Sequence, residues 1–314
     1  MMKKTVFMLT AVALMILAGC SNSAAKTDES KDSQAQTKSE VTIQDANGEI
    51  TVPKAPEKVV VFDNSALDTM NVLGVGDKVV GAATNNLPDF LKAYQKVESA
   101  GGIKEPDLEK INALKPDLII ISGRQRDFQE DLAKIAPTVF FSTDNKDTWK
   151  SIQNQVNAIA KIFGKEDKAK KEIAALQEQI EATKKKAADS GTALVLLANE
   201  GSISAYGKGS RFSIVHDTFG FKEADDTIKA STHGQNVSYE YVLEKNPAII
   251  FVVDRTKAIG GDDSQNNVAD NALVKQTTAG KNQKVISLDP SVWYLAGSGL
   301  ESVKIMIEDV NQAF

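Results

Sequence analysis

The chain repeats itself. Glu109, Pro116 and Arg124 are each matched 131 residues later, by Glu240, Pro247 and Arg255. The residues between agree in register: Leu108-Glu-Lys-Ile-Asn-Ala-Leu-Lys-Pro-Asp-Leu-Ile-Ile-Ile against Tyr239-Glu-Tyr-Val-Leu-Glu-Lys-Asn-Pro-Ala-Ile-Ile-Phe-Val. In each copy a short helical pattern meets a proline, which cannot continue the helix. An apolar run follows and reads as a buried strand ending near an arginine. Such an in-register unit predicts two lobes of like construction facing a shared cleft. Arg124 and Arg255 become symmetry mates there, and interfaces of this kind favour ligands.

The rest of the chain fits an α/β fold. Val59-Val-Val-Phe62, Lys78-Val-Val-Gly81, Leu118-Ile-Ile-Ile121 and Thr138-Val-Phe-Phe141 read as strands, with helical patterns over 65–73 and 108–114. Strands alternating with helices at this spacing indicate parallel sheets. Trp149, Ile152, Val156, Ile159 and Phe163 recur at helical spacing up to Gly164. Ala169, Ile173, Leu176, Ile180, Thr183 and Ala187 continue that rhythm without glycine or proline, which predicts a helix of more than twenty residues acting as a rigid strut. Thr192-Ala-Leu-Val-Leu-Leu197 opens the second lobe. The expected organisation is a first lobe over 41–148, linking helices over 149–190 and a second lobe over 191–314.

Lys3 and Lys4, the uncharged run Thr5–Leu17, and Leu17-Ala-Gly-Cys20 resemble the signal peptide and lipobox of bacterial lipoproteins. The resemblance implies a signal peptide over 1–19, a lipidated Cys20 and an extracytoplasmic, membrane-anchored protein. Residues 20–40 lack large apolar side chains and read as a disordered tether. Cys20 is the single cysteine of the chain, so an internal disulfide and a cysteine metal site are excluded. The net charge of −5 argues against nucleic acid. There is no Gly-x-Ser-x-Gly, phosphate-binding loop or His-Glu-x-x-His, and Leu73-Gly-Val-Gly-Asp77 lacks the third glycine of a dinucleotide site. Two histidines are too few for a zinc-type centre. The expectation is a binding protein, not an enzyme, without an intrinsic cofactor.

Only four of the 37 basic residues are arginine: Arg124, Arg126, Arg211 and Arg255. Arg124 and Arg255 follow buried strands, and Arg211 follows Tyr206-Gly-Lys-Gly-Ser. A guanidinium presents a planar five-donor fork to anionic oxygens and stacks on aromatic rings, whereas lysine suits a solvated surface. Arginine spent at strand ends, where ligands sit in open α/β sheets, points to an anion-binding cleft.

Lys58-Val-Val-Val-Phe, Gly102-Ile-Lys-Glu-Pro-Asp-Leu-Glu-Lys-Ile, Lys115-Pro-Asp-Leu-Ile-Ile-Ile and the mid-chain helix resemble the helical-backbone class of substrate-binding proteins. That class serves ABC importers of iron siderophores, haem and cobalamin. Ser122-Gly-Arg-Gln, Ser204-Ala-Tyr-Gly-Lys-Gly-Ser-Arg, Lys229-Ala-Ser-Thr-His-Gly-Gln, Val253-Asp-Arg and Trp293-Tyr-Leu are most similar to its ferric-catecholate branch, which includes petrobactin-binding lipoproteins. The resemblance implies two pseudo-symmetric lobes joined by a long backbone helix, with a ferric siderophore bound in the cleft. It implies that Arg124, Arg211, Arg255, His233 and Tyr294 line the cleft, the arginines facing the anionic chelate. Where the siderophore supplies only two catecholates, an imidazole and a phenolate can fill the two open iron positions, and His233 and Tyr294 contact either the iron or the chelator. Trp293 joins Tyr294 as an aromatic wall. Glu109 and Glu240 would dock the two lobes onto permease subunits coupled to a cytoplasmic ATPase, and the protein itself would be monomeric. A haem or cobalamin ligand is the alternative on the same fold, although neither needs such concentrated positive charge. His216, in Ile214-Val-His-Asp, reads as part of a packed helix.

Overall fold

Two central sheets, one in each half of the chain, carry the architecture of this computed structural model, which describes residues 39–314. The expected signal peptide, Cys20 and nearly all of the tether lie outside the described residues. The chain enters through an antiparallel hairpin, β1 (Glu40–Asp45) and β2 (Gly48–Pro53), which was not legible beforehand. Glu40, the last residue assigned to the tether, pairs with Pro53 and so belongs to the hairpin. The hairpin packs on a later helix through Lys161, whose Nζ donates to the Thr42 carbonyl at 2.8 Å.

The first lobe follows with β3 (Val59–Val61), α1 (Asn64–Leu73), β4 (Val79–Ala82), β5 (Glu98–Ser99), α2 (Leu108–Leu114), β6 (Leu118–Ile121), α3 (Gln129–Ala133) and β7 (Thr138–Phe140). Its sheet is parallel throughout, in the order β5-β4-β3-β6-β7. Strands β3, β6 and β7 are buried at every position, as a sheet covered on both faces requires. Helix α1 starts where the Asp63 side chain accepts from the Ser65 N–H, and ends at Gly74 with φ 78.

Helix α4 (Thr148–Phe163) and the 22-residue α5 (Glu166–Ala187) link the lobes. Glu166 and Asp167 open α5 and Lys184–Lys186 close it, matching the polarity of its dipole. The second lobe contains β8 (Thr192–Asn199), β9 (Ser202–Tyr206), α6 (Ile214–Asp217), β10 (Lys222–Glu223), β11 (Gln235–Val237), α7 (Tyr239–Lys245), β12 (Ile249–Asp254), α8 (Arg255–Ala258), α9 (Thr278–Lys281), β13 (Val285–Ser287) and α10 (Leu300–Asn311). The repeat holds in three dimensions. Helices α2 and α7 both have seven residues, both end at a left-handed residue (Lys115, φ 48; Asn246, φ 43) and both lead through proline into a central strand.

Two features depart from expectation. The second sheet, β11-β9-β8-β12-β13, is mixed: β8, β12 and β13 run parallel, but β9 pairs antiparallel with both β8 and β11. The cause is a two-residue turn, Glu200-Gly201, with φ 50 and 79, a conformation that matches strand twist and folds β9 directly back on β8. In addition, α10 packs against α1 and α5, so the last segment returns to the first lobe. The buried Asp68 of α1 accepts from the N–H groups of Glu301 and Ser302 and from the Ser302 hydroxyl, capping α10. Asn311 of α10 donates to Thr183 of α5 at 2.8 Å. One apolar cluster consequently runs from Val59 and Leu67 through Ile159 and Leu176 to Val195, Phe251 and Val303. No helix among the described residues is long and apolar enough to cross a membrane.

Candidate functional site

Each clustered residue is delivered by the carboxyl end of a strand or by the turn after it. Arg124 follows β6 in a tight turn pinned by Gln125, which is fully buried. Gln125 Oε1 accepts the Ser122 N–H at 2.9 Å, and its amide donates to the Ile103 carbonyl. Arg255 follows β12 as the first residue of α8, whose cap is the Asp254 carboxylate, accepting the Lys257 N–H at 2.9 Å. Arg211 closes the turn after β9, where Gly209 has φ 71. Tyr294 lies in a π-helical turn over Val292–Ala296, between β13 and α10. Single wide turns of this kind recur at functional sites.

These four side chains meet. Arg124 and Arg211 each donate through Nη2 to the Tyr294 carbonyl, at 2.7 and 2.5 Å. Arg255 donates through Nε to the Tyr294 hydroxyl at 2.9 Å and through Nη1 to Asn199 Oδ1 at 2.5 Å. The Arg211 guanidinium lies 4.1 Å from the Tyr294 ring centroid, with Arg255 and Arg124 at 5.7 and 5.9 Å. Three cations from two lobes are thus held on one half-buried tyrosine.

The electrostatics follow. Burial alone pushes the Tyr294 phenol up, but the Arg255 hydrogen bond and the charges of Arg211 and Arg255 outweigh it, leaving its pKa below the ordinary value. Arg124 is lowered, first by burial and then by the neighbouring Arg211 charge. Asp63 is raised to about 6 by burial, against the opposing pull of the Ser65 N–H and the Arg124 charge. Beneath the cluster, Tyr206 packs edge-on against Phe212 at 4.7 Å, and Arg211 lies over the Phe212 ring. Asp63, Asn199 and this aromatic floor escaped the sequence reading. Asp63 and Asn199 nevertheless stand at or just past strand ends, which is the signal that would have found them.

The remaining candidates are placed differently. Trp293 is a correction: it is 3% exposed and belongs to the core, where its Nε1 donates to Asp309 at 2.8 Å. Neighbouring residues of a helical turn point in different directions, so the turn that presents Tyr294 buries Trp293. His233 lies on an exposed loop, where its backbone N–H donates to Ser231 Oγ, and its ring is not brought to the cluster. The loop does pass close by, since Gly234 (φ 70) packs on the Tyr206 ring. Arg126 is exposed, with its guanidinium over Phe140. His216 is buried, bonded to the Phe221 carbonyl, and lowered in pKa by burial. Glu109 and Glu240 are both exposed, each the second residue of its seven-residue helix. The Ser238 hydroxyl, followed by a backbone N–H, lowers the Glu240 carboxyl below its usual range.

A separate cavity of about 360 Å³ lies on the flank of the second lobe, lined by Asp254, Lys257, Asp263, Asn266 and Pro290. Its lysine already faces Asp263 at 4.0 Å, so concentrated positive charge resides at the arginine cluster instead. Among the described residues no group of three or more histidine, cysteine or carboxylate side chains is arranged to hold a metal.

Comparison with known proteins converges on one group. Petrobactin-binding protein YclQ of Bacillus subtilis is 42% identical over 99% of this chain and 98% of its own length. Its crystal structure superposes with a TM-score of 0.86 at 44% identity, covering 88% of this chain and 99% of that one. The iron uptake ABC transporter substrate-binding protein PiuA of Streptococcus pneumoniae gives a TM-score of 0.84 at 46% identity, over 87% of this chain and 98% of that one. Ferric-anguibactin-binding protein FatB of Vibrio anguillarum is 32% identical over 100% of this chain and 99% of its own. The profile described as "Periplasmic binding protein" matches residues 59–292, and the chain belongs to that family.

Proposed function

We propose that this protein is the substrate-binding component of an ABC importer and that it carries a ferric, petrobactin-type catecholate siderophore between its lobes. The observation that carries this reading is the convergence of Arg124, Arg211 and Arg255 on Tyr294. A ferric catecholate is anionic and presents phenolate oxygens in a compact shell. Within the protein the arginines donate to neutral acceptors, the Tyr294 carbonyl and hydroxyl and the Asn199 amide oxygen. An incoming chelate offers charged acceptors for the same forks, and charge-assisted bonds are about twice as strong as neutral ones. Relatives named for petrobactin and ferric anguibactin support the ligand class.

Where the siderophore supplies only four of six donor atoms, two iron positions remain. Tyr294 is suited to one of them, because its lowered pKa favours the phenolate that iron binds. His233 takes the other when its loop folds over the ligand. The shared core behind the cleft and the 22-residue α5 limit the motion to a small closure. Glu109 and Glu240 then dock the two lobes onto paired permease subunits, while a lipid on Cys20 keeps the protein at the outer face of the membrane.

Tryptophan fluorescence of the soluble domain tests the ligand. Ferric petrobactin, a ferric bis-catechol, haem and cobalamin are titrated against the wild type and Arg255→Ala. Submicromolar quenching by the ferric catecholates alone, lost in the variant, is the expected result. Quenching by haem or cobalamin, or indifference to Arg255, overturns the ligand assignment.

A further inference from the structure

The first lobe carries one polar group that the protein itself leaves unused. Among the described residues, Asn64 Nδ2 is the single buried side-chain nitrogen or oxygen without a hydrogen-bond partner, and Asn64 is 4% exposed. A buried donor left unpaired costs about 1–3 kcal/mol, so such atoms persist where something outside the fold completes them. Position matters as much as burial. Asn64 is the first residue of α1, just past the carboxyl end of β3, the strand that pairs with the Arg124-bearing β6. Its neighbours on both sides engage the site. Asp63 lies within electrostatic reach of Arg124, and Ser65 Oγ accepts the N–H of Ser298, four residues after Tyr294. Helix α1 also packs against the turn that holds Tyr294.

The second lobe offers a counterpart. There β8 adjoins the arginine strand β12 as β3 adjoins β6, and β8 ends in an asparagine, Asn199, where Asn64 stands three residues past the end of β3. Asn199 is occupied, accepting from Arg255. The first-lobe amide has no such engagement.

We infer that Asn64 is a ligand-binding residue whose amide donates to an oxygen of the bound chelate, extending the arginine cluster into the first lobe. The inference rests on the anionic-chelate reading above. A donor rather than a charge at this position favours a carbonyl, carboxylate or phenolate oxygen and rejects a ligand presenting an amine there.

The test uses ferric petrobactin as the probe, with Asn64→Ala, Asn64→Leu and Asn64→Asp alongside the wild type. Dissociation constants are measured by fluorescence, and thermal midpoints with and without ligand. Affinity is expected to fall roughly ten- to hundredfold in the alanine and leucine variants, the range for a lost hydrogen bond to a charged group. It should fall further in the aspartate variant, where a donor becomes an acceptor. The ligand-free midpoint should stay level or rise in the alanine variant, because an unpaired donor has been removed. Affinities within twofold of wild type would overturn the inference. So would a lowered ligand-free midpoint with unchanged affinity, which would assign Nδ2 to a structural water. A wild type that binds no ferric catecholate overturns the ligand reading itself, and Asn64 with it.

Discussion

In the first lobe β6 delivers one arginine, Arg124, beside the buried carboxyl of Asp63. In the second, β12 and the turn after β9 deliver Arg255 and Arg211, together with Asn199 and Tyr294. The repeated unit α2–β6 and α7–β12 accounts for one arginine on each side. The third comes from what the lobes do not share. Because Glu200-Gly201 folds β9 back antiparallel, its carboxyl end runs into a glycine turn that places Arg211 over Tyr294. The first lobe's equivalent strand region is parallel and yields no such turn. A duplicated scaffold thus gains an asymmetric site from one local change of strand direction. The uncompensated positive charge lies on the second lobe, while Asp63 partly offsets Arg124.

Removing Arg211 and Arg255 together should break the second lobe's share. Each loses charge-assisted bonds of about 1.5–3 kcal/mol, so the double alanine variant should weaken ferric-catecholate binding by about 3–6 kcal/mol. A loss no greater than that of either single variant would show that the two act as one unit. Arg124→Ala should cost about 1.5–3 kcal/mol by the same titration, measurably less than the double variant. Equality of the two effects would erase the asymmetry.

Asp63 sharpens the comparison through pH. Its folded pKa of about 6 lies above the ordinary 3.8, so the folded state holds a proton that the unfolded chain releases between those values. Stability contributed by Asp63 is therefore present at low pH and is lost as pH rises through about 6. Asp68, also raised to about 6 by burial, acts in the same direction. His216, lowered by burial, opposes them, losing stability as pH falls below its unfolded value near 6.5. Comparing denaturation of wild type and Asp63→Asn isolates the Asp63 contribution, because asparagine caps a helix as well as aspartate does. The variant should gain on the order of 2 kcal/mol relative to wild type at pH 7 over pH 4. No pH-dependent difference would mean that Arg124 compensates Asp63 fully.

Trp293→Phe has the smallest effect. It removes the bond to Asp309 but keeps an aromatic ring in the core, so stability should fall by about 1 kcal/mol. Ferric-catecholate affinity, read by calorimetry, should stay within about twofold. A tenfold loss would return Trp293 to the cleft wall.

Much of this was legible in advance, because the signals were local. Strands β3 and β6 are unbroken apolar runs and β12 is apolar up to its last residue, Asp254; α5 lacks glycine and proline over its length, and the α2/α7 repeat carries matching prolines. Burial and helix propensity act residue by residue, so pattern suffices for them. The arginines were legible because guanidinium at a strand end is chemically conspicuous. Contacts between distant segments were not. That Arg124 and Arg211 share the carbonyl of Tyr294, that Asp68 caps α10, and that Trp293 turns inward all depend on how elements far apart in sequence pack. The repeat and the periodicities determined two α/β lobes on a helical strut. Tertiary packing decided which side chains meet between them, because backbone direction at β9 and the wide turn at 292–296 orient groups that no local pattern connects.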